Sequence, residues 1–150
     1  METVLSIIAI VLSAISGLFT AYTFLWTRVR DRKQATLEAY NRLQAEVFDN
    51  LNVYKPSEIR DICSNTQSEE YKIISGYLAR IEHFCVGLNY GIYDKKTFYA
   101  LAHGYFDKDP LRKRIEPIIE KKNQSKNSKE QFYKETLFVI SEMDKRTAKQ

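Results

Sequence analysis

Histidine, cysteine, glycine and proline are all scarce in this chain of 150 residues, which has 2 His, 2 Cys, 5 Gly and 3 Pro. The histidines form no paired zinc motif, and the glycines form neither a phosphate-binding loop nor a nucleophile elbow. Cys63 and Cys85 lack the spacing of metal ligands, and a reducing cytosol would keep both as thiols. We therefore predict no catalytic residues, no metal and no cofactor.

Charge is absent from one long stretch, since no charged residue occurs between Val4 and Thr27. About 20 apolar residues cross a bilayer, so we predict that residues 1–27 form a single N-terminal transmembrane helix, with Tyr22 and Trp26 at an interface. Only Glu2 precedes the stretch, which argues against a cleaved signal peptide with its positive leading region. The basic residues follow it instead, as Arg28, Arg30, Arg32 and Lys33. The positive-inside rule then predicts a single-pass inner (plasma) membrane protein with its N-terminus outside and residues 28–150 in the cytoplasm.

Small and hydroxyl residues form a line along the apolar stretch, at alternating steps of three and four. The line consists of Ser6, Ala9, Ser13, Ser16, Thr20, Thr23 and Thr27. On a helix such steps place these residues on one face, and small side chains let two helices approach closely. We predict that copies of the chain assemble through this face, although small residues are also common in membrane helices that do not assemble.

Helix signals recur along residues 28–150 and strand signals are weak, so we predict an all-α fold with a cytosolic bundle of about five helices. The first should continue from the membrane to about Tyr54, before Pro56, with an inward face at heptad steps. That face would carry Leu37, Tyr40, Gln44, Val47, Leu51 and Tyr54. Ser57 should cap a short helix that runs through Ile62.

Local signals predict where the later helices begin and end. The predicted N-caps are Ser68, Asp94 and Asp109, the last followed by Pro110, together with a capping box of Ser128 and Gln131. Gly91 is expected to be a left-handed C-cap with Ile92 as its apolar partner, and Gly104 should end the following helix. We expect Cys85 in the core, Glu82 as a carboxylate that ties helix ends together, and the last helix packed through Phe132, Thr136, Val139 and Met143.

Basic residues outnumber acidic ones after the apolar stretch, 23 against 18, and the excess lies in residues 110–150, with 11 basic and 6 acidic residues. This bias favours an anionic partner: lipid headgroups, nucleic acid or a nucleotide. One region combines cations for phosphate, rings for stacking and amides for base edges. The candidate ligand-binding residues are Arg80, Asn89, Tyr90, Tyr93, Lys95, Lys96, His103, Tyr105, Arg112 and Arg114. The alternative is that the tyrosines belong to the core and the lysines are merely solvated.

Residues 80–94 read RIEHFCVGLNYGIYD, in which a helical Glu82 precedes the pattern Gly-h-x-x-Gly-h-x-Asp from Gly87 to Asp94. This stretch resembles the core of a family of short, membrane-anchored bacterial proteins of unknown function. The whole-chain plan, one N-terminal span before a basic helical domain, is similar to that of the transmembrane effectors of type III CRISPR systems. That resemblance implies a homo-oligomer, such as a tetramer, that binds cyclic tetra-adenylate and then perturbs the membrane.

These features are compatible with three functions. The preferred hypothesis is an effector in antiviral defence, in which a cyclic oligoadenylate binds the cytosolic domain and the membrane helices respond, with no duplex nucleic acid as partner. The second is an adaptor that binds anionic membrane lipid or a protein and no nucleotide. An enzyme is the weakest hypothesis, because no acid–base or metal constellation is present in the sequence.

Overall fold

The computed structural model describes residues 2–102, 110–124 and 133–148, and within these ranges it contains helices and no strand. Helix α1 spans Glu2–Leu43 and continues through a π-helical turn, Gln44–Phe48, into the short α2, Asp49–Asn52. The remaining helices are α3 (Pro56–Ser64), α4 (Glu69–Asn89), α5 (Lys95–Ala102), α6 (Pro110–Gln124) and α7 (Lys134–Thr147). The predicted all-α fold with a long apolar N-terminal helix is confirmed.

A continuous helical rod is the axis of the molecule. It covers the 50 residues Thr3–Asn52, about 75 Å at 1.5 Å per residue. The large apolar residues from Val4 to Val29 are all exposed, and in the described part of the chain the first buried residue of the rod is Thr36. Within the described residues this is the one helix that is long and apolar enough to cross a membrane.

The π-helical turn changes which residues of the rod face the bundle. Beyond it Val47 and Leu51 are buried, as the heptad pattern predicts. Before it, Tyr40 is buried as predicted, but it is accompanied by Thr36 and Leu43, whereas Leu37 is 42% exposed. A π turn adds one residue to the helix, so the inward line shifts by one position across it. The prediction of Leu37 on the inward face was therefore wrong, because a strict repeat assumes an uninterrupted helix.

Helix α3 begins two residues earlier than a Ser57 cap predicts. Pro56 is its first residue, where the missing N–H costs nothing, and Lys55 is the N-cap. The Glu58 carboxylate accepts a hydrogen bond from the Lys55 backbone N–H at 2.7 Å. The predicted Ser57 cap was wrong, because the proline already fixes the start of the helix.

Both ends of α4 follow the local rules. The Ser68 hydroxyl accepts from the Tyr71 N–H at 3.1 Å, which confirms the N-cap. At the other end Gly91 has a φ of +72°, and the Ile92 N–H donates to the Gly87 carbonyl at 2.9 Å, as in a Schellman motif. The predicted apolar role of Ile92 was wrong. Its usual packing position is occupied by Gly87, which has no side chain, and Ile92 is 62% exposed.

The core surrounds α4, which contacts the rod and α3, α6 and α7. Cys85 is fully buried there, and burial raises the pKa of its thiol to about 12, so it is an inert core residue. In α7 the expected Thr136, Val139 and Met143 are buried. Five residues with predicted roles at helix ends or in α7 lie outside the described residues: Gly104, Asp109, Ser128, Gln131 and Phe132.

Candidate functional site

A basic pocket lies where the rod leaves the bundle toward its apolar end, and we call it the membrane-proximal pocket. It has a volume of about 470 Å³. One wall belongs to α1 and the other to the end of α4, the following turn and the start of α5. The lining residues are Val29, Arg32, Lys33, Leu88, Asn89, Gly91, Tyr93, Asp94, Lys95 and Lys96. Four of the predicted ligand-binding residues, Asn89, Tyr93, Lys95 and Lys96, thus lie together.

Positive charge dominates this pocket, since Arg32, Lys33, Lys95 and Lys96 face a single carboxylate, Asp94. That carboxylate caps α5, because its Oδ1 accepts from both the backbone N–H and the hydroxyl of Thr97 at 2.8 Å. Partial burial alone would raise the pKa of Asp94. The hydrogen bonds from Thr97 and the charges of Lys33 and Arg32 outweigh burial and lower it. The predicted cap is confirmed, and the pocket as a whole favours an anion.

Thr36 joins the rod to the turn that lines the pocket. Its side chain is completely buried. The hydroxyl donates to the Arg32 carbonyl at 2.7 Å and accepts from the Asp94 N–H at 2.7 Å. A displacement of the turn between α4 and α5 would therefore move a hydrogen-bond partner of α1, just after the apolar stretch.

Tyr93 is held by a close contact that only glycine permits. A Cβ atom at Gly87 would lie 2.6 Å from Cδ2 of the Tyr93 ring, inside van der Waals contact. The ring stacks on Phe84, with centroids 5.0 Å apart and an angle of 24° between the planes. The spacing of Gly87 and Gly91 thus positions Tyr93, whereas Ile92 remains outside.

A second pocket of about 290 Å³ lies beside the π-helical turn, and Tyr93 separates it from the first. Of the predicted residues it contains Arg80 and Tyr93, together with Arg42, Glu46 and His83. Arg80 Nη1 lies 2.8 Å from the Glu46 carboxylate in an exposed ion pair. Such a pair contributes little stability, and it leaves this pocket less positive than the first.

Three further predicted residues, Tyr90, Arg112 and Arg114, line neither of these two pockets. Tyr90 is 76% exposed on the turn after α4. Arg112 bonds to Glu116 at 2.8 Å and to both oxygens of Asp144 at 2.9 Å, and these contacts raise its pKa. Arg114 Nε donates to the Tyr54 carbonyl at 2.7 Å. His103 and Tyr105 lie outside the described residues.

Two polar side chains of α4 connect it to the start of α7. The Glu82 carboxylate accepts from the backbone N–H groups of Glu135 and Thr136 at 3.1 and 2.8 Å, and from the Thr136 hydroxyl at 2.6 Å. The Asn89 amide donates to Glu135 at 2.6 Å. The predicted tie through Glu82 is confirmed: it caps α7 from another helix. The Asn89 side-chain N–H therefore bonds to α7 and not to a group in the pocket.

The predicted assembly face is exposed along the apolar part of α1. The hydroxyls of Thr20 and Thr23 donate to the carbonyls of Ser16 and Phe19, four residues earlier, at 2.8 Å. Their donor protons are thus satisfied within the helix, even in lipid. The small side chains of this face would let a second helix approach closely, and its hydroxyl oxygens could accept hydrogen bonds.

Sequence reasoning treated Arg32 and Lys33 only as signals of orientation, although they form half of the positive charge in the membrane-proximal pocket. A signal was present, because Val29, Arg32 and Thr36 lie at helical steps that continue the buried face from Tyr40. The buried face of α1, extended from Tyr40 toward the N-terminus, places Arg32 and Lys33 opposite the turn after α4.

Fold and site together define a class of protein: a helical bundle carried on a long helix whose far end can cross a membrane, with a basic pocket where the two parts meet. The chain belongs to the family described as a domain of unknown function (DUF4760), whose model matches residues 7–137. The matched region includes most of the apolar stretch and the bundle as far as the first turn of α7. No curated protein and no solved structure matches the chain.

Proposed function

We propose that this protein is a homo-oligomeric, single-pass effector of the inner membrane, with its N-terminus outside and its bundle in the cytoplasm. In this proposal the membrane-proximal pocket binds a cyclic oligoadenylate, and the α1 helices then perturb the bilayer in antiviral defence. One observation carries the proposal: the helix that can cross the membrane is itself a wall of the more basic of the two pockets described above. A ligand bound there would contact that helix with no intermediate element.

The pocket chemistry fits a phosphorylated ligand. Hydrogen bonds between charged groups contribute about 1.5–3 kcal/mol each, and four basic residues line the pocket, of which Lys95 has its ammonium 5.5 Å from the centroid of the Phe138 ring. Tyr93, whose ring stacks on Phe84, lines the pocket and could contact a base. A cyclic ligand with several phosphates would contact several copies of the chain at once, and a tetramer would supply four such pockets. The proposed assembly through Ser6, Ala9, Ser13, Ser16, Thr20 and Thr23 would bring those copies together.

Transmission would follow the contacts around Thr36. Ligand binding would fix the turn that donates to its hydroxyl, and α1 would carry the change along a continuous helix. The ligand can shift the equilibrium only as far as its affinities for the two arrangements differ. Moving it from about 1% to about 99% active needs roughly 10⁴-fold preference, or about 5.5 kcal/mol. Several phosphate contacts could supply that difference.

A membrane adaptor that binds anionic lipid is the second candidate, and the position of the pocket favours it. Val29, in the pocket wall, follows Thr27 by only two residues, or about 3 Å of helix rise. Lipid phosphates at that depth could reach the same cations. The two candidates therefore share their chemistry and differ in where the phosphate comes from.

Binding measurements on the full chain in nanodiscs separate the two. Cyclic and linear tetra-adenylate would be titrated in discs of phosphatidylcholine alone and of phosphatidylcholine with phosphatidylglycerol. We expect submicromolar binding of the cyclic ligand and weaker binding of the linear one. The Lys95→Gln, Lys96→Gln double variant should lose about 100-fold in affinity, at about 1.4 kcal/mol per lysine. The matched control, Lys55→Gln with Lys72→Gln, removes the same charge far from the pocket and should bind normally.

Micromolar or weaker binding with no preference for the cyclic form would overturn the effector proposal. If phosphatidylglycerol is then retained by the protein in a manner that depends on Lys95 and Lys96, the adaptor is the better account.

A further inference from the structure

We propose that the turn between α4 and α5 docks on the inner leaflet, with Tyr90 and Ile92 inserted at the interface of an anionic bilayer. Tyr90 and Ile92 are 76% and 62% exposed, although the turn between them is closed by backbone hydrogen bonds from Gly91 and Ile92 to α4. The inference rests on the membrane span and orientation proposed above, and does not depend on any nucleotide.

The direction of α4 places this turn at the membrane end of the bundle. Near the middle of α4, Arg80 pairs with Glu46 of the rod at 2.8 Å. One turn further along, the Phe84 ring lies 6.5 Å from the Tyr40 ring. At the end of α4, Asn89 shares a pocket with Val29 and Arg32. As α4 advances, its contacts move up the rod toward the apolar stretch, so the two helices are antiparallel.

The height of the turn along the rod matches the headgroup layer. Arg32, which lines the same pocket as Gly91, follows Thr27 by five residues, or about 8 Å. The polar layer of each leaflet is about 5–8 Å thick. A turn beside Val29 and Arg32 therefore lies within the headgroup layer, where its side chains can reach the boundary with the hydrocarbon that tyrosine rings favour.

The turn is held so that its apolar side chains point away from the bundle. The Gly91 and Ile92 N–H groups donate to the carbonyls of Leu88 and Gly87 at 3.3 and 2.9 Å. The Asp94 N–H is fixed by Thr36 at 2.7 Å. Because Gly87 offers no side chain, Ile92 finds no partner within its own motif. Folding back would break these bonds, so lipid is the occupant that fits.

Charge around the turn favours an anionic surface. Lys95 and Lys96 follow it directly, and Arg32 and Lys33 stand beside it on the rod. Each basic residue near an anionic leaflet contributes about 1 kcal/mol. Polar flanks around an apolar tip are the arrangement expected of a membrane-docking loop rather than of a contact between two bundles.

Fluorescence quenching in vesicles tests this docking. An Ile92→Cys variant of the full chain would carry an environment-sensitive fluorophore, in vesicles with and without phosphatidylglycerol that contain spin-labelled lipid as quencher. Val53→Cys is the matched control, because Val53 is 78% exposed at the opposite end of the rod. The native thiols, Cys63 and Cys85, are both buried and should not react.

We expect at least threefold stronger quenching at Ile92 than at Val53, increasing with the phosphatidylglycerol fraction. Equal quenching at the two positions would overturn the docking proposal, and so would an Ile92 label shielded from lipid by a second copy of the chain. Cyclic tetra-adenylate binding is measured separately on the same preparation. Its absence would overturn the effector proposal and leave the quenching difference unchanged.

Discussion

Replacing Gly87 with alanine should destabilise the bundle and disturb both pockets, whereas the same change at Gly76 should stabilise it. Both glycines lie within α4, and alanine is favoured over glycine in a helix by about 1 kcal/mol. At Gly76 a Cβ would have no atom within 4 Å, so that gain is realised. At Gly87 the Cβ would lie 2.6 Å from Cδ2 of Tyr93, a ring already stacked on Phe84.

Overpacking of this kind costs about 1–3 kcal/mol, so Gly87→Ala should be destabilised by as much as about 2 kcal/mol after the helix gain. Relative to Gly76→Ala, the difference should be about 1–3 kcal/mol. Urea unfolding of the full chain in detergent, followed by circular dichroism, measures it, because the apolar part of α1 remains helical in the micelle. If both alanines stabilised the bundle equally, Tyr93 would not be held as described, and the structure of both pockets would be in doubt.

Three further changes follow from single contacts. Glu82→Ala removes three hydrogen bonds at the start of α7 and should lower the free energy of unfolding by about 2–3 kcal/mol in the same assay. The control Glu120→Ala, on the exposed face of α6, should change it by no more than about 0.5 kcal/mol. Equal effects of the two substitutions would refute the cap. Thr36→Val leaves the Asp94 N–H without its acceptor and should cost about 1–3 kcal/mol; a neutral effect would show that the rod and the turn are not coupled. Because the pKa of Asp94 is lowered in the folded chain, its cap stabilises the bundle above the ordinary carboxyl range, and this contribution is lost as the pH falls through the lowered pKa. In Asp94→Asn the free energy of unfolding should therefore fall less steeply as the pH is lowered into the acidic range. An unchanged slope would contradict this.

The helix ends were predictable because capping is a local property. Ser68, Gly91 and Asp94 each act within three or four residues, and the sequence carries that information directly. The role of Glu82 could also be anticipated, since a carboxylate beside an apolar stripe needs donors. Its partners in α7 could not, because they are more than 50 residues away in sequence.

The π-helical turn and the composition of the pocket could not be predicted from the sequence, because both depend on how the helices pack. Either side of the turn has an ordinary helical repeat, and only the packing reveals the shift that buries Thr36 and exposes Leu37. All the candidate residues lie between Arg80 and Arg114, whereas the membrane-proximal pocket combines part of that stretch with Arg32 and Lys33. Arg112 and Arg114 belong to the candidate set, yet their hydrogen bonds join α6 to α7 and to Tyr54, two residues beyond the rod.

The central claim is that copies of α1 meet along the Ser/Thr face, so that events at the pocket reach the bilayer. Disulfide cross-linking in native vesicles tests it most directly, with Ser16→Cys on that face and Leu18→Cys at nearly the same depth on the opposite side of the helix. We predict rapid cross-linking of Ser16→Cys and little of Leu18→Cys, with a rate at Ser16→Cys that changes when cyclic tetra-adenylate is added. Equal rates at the two positions, or no cross-linked product at either, would contradict the account.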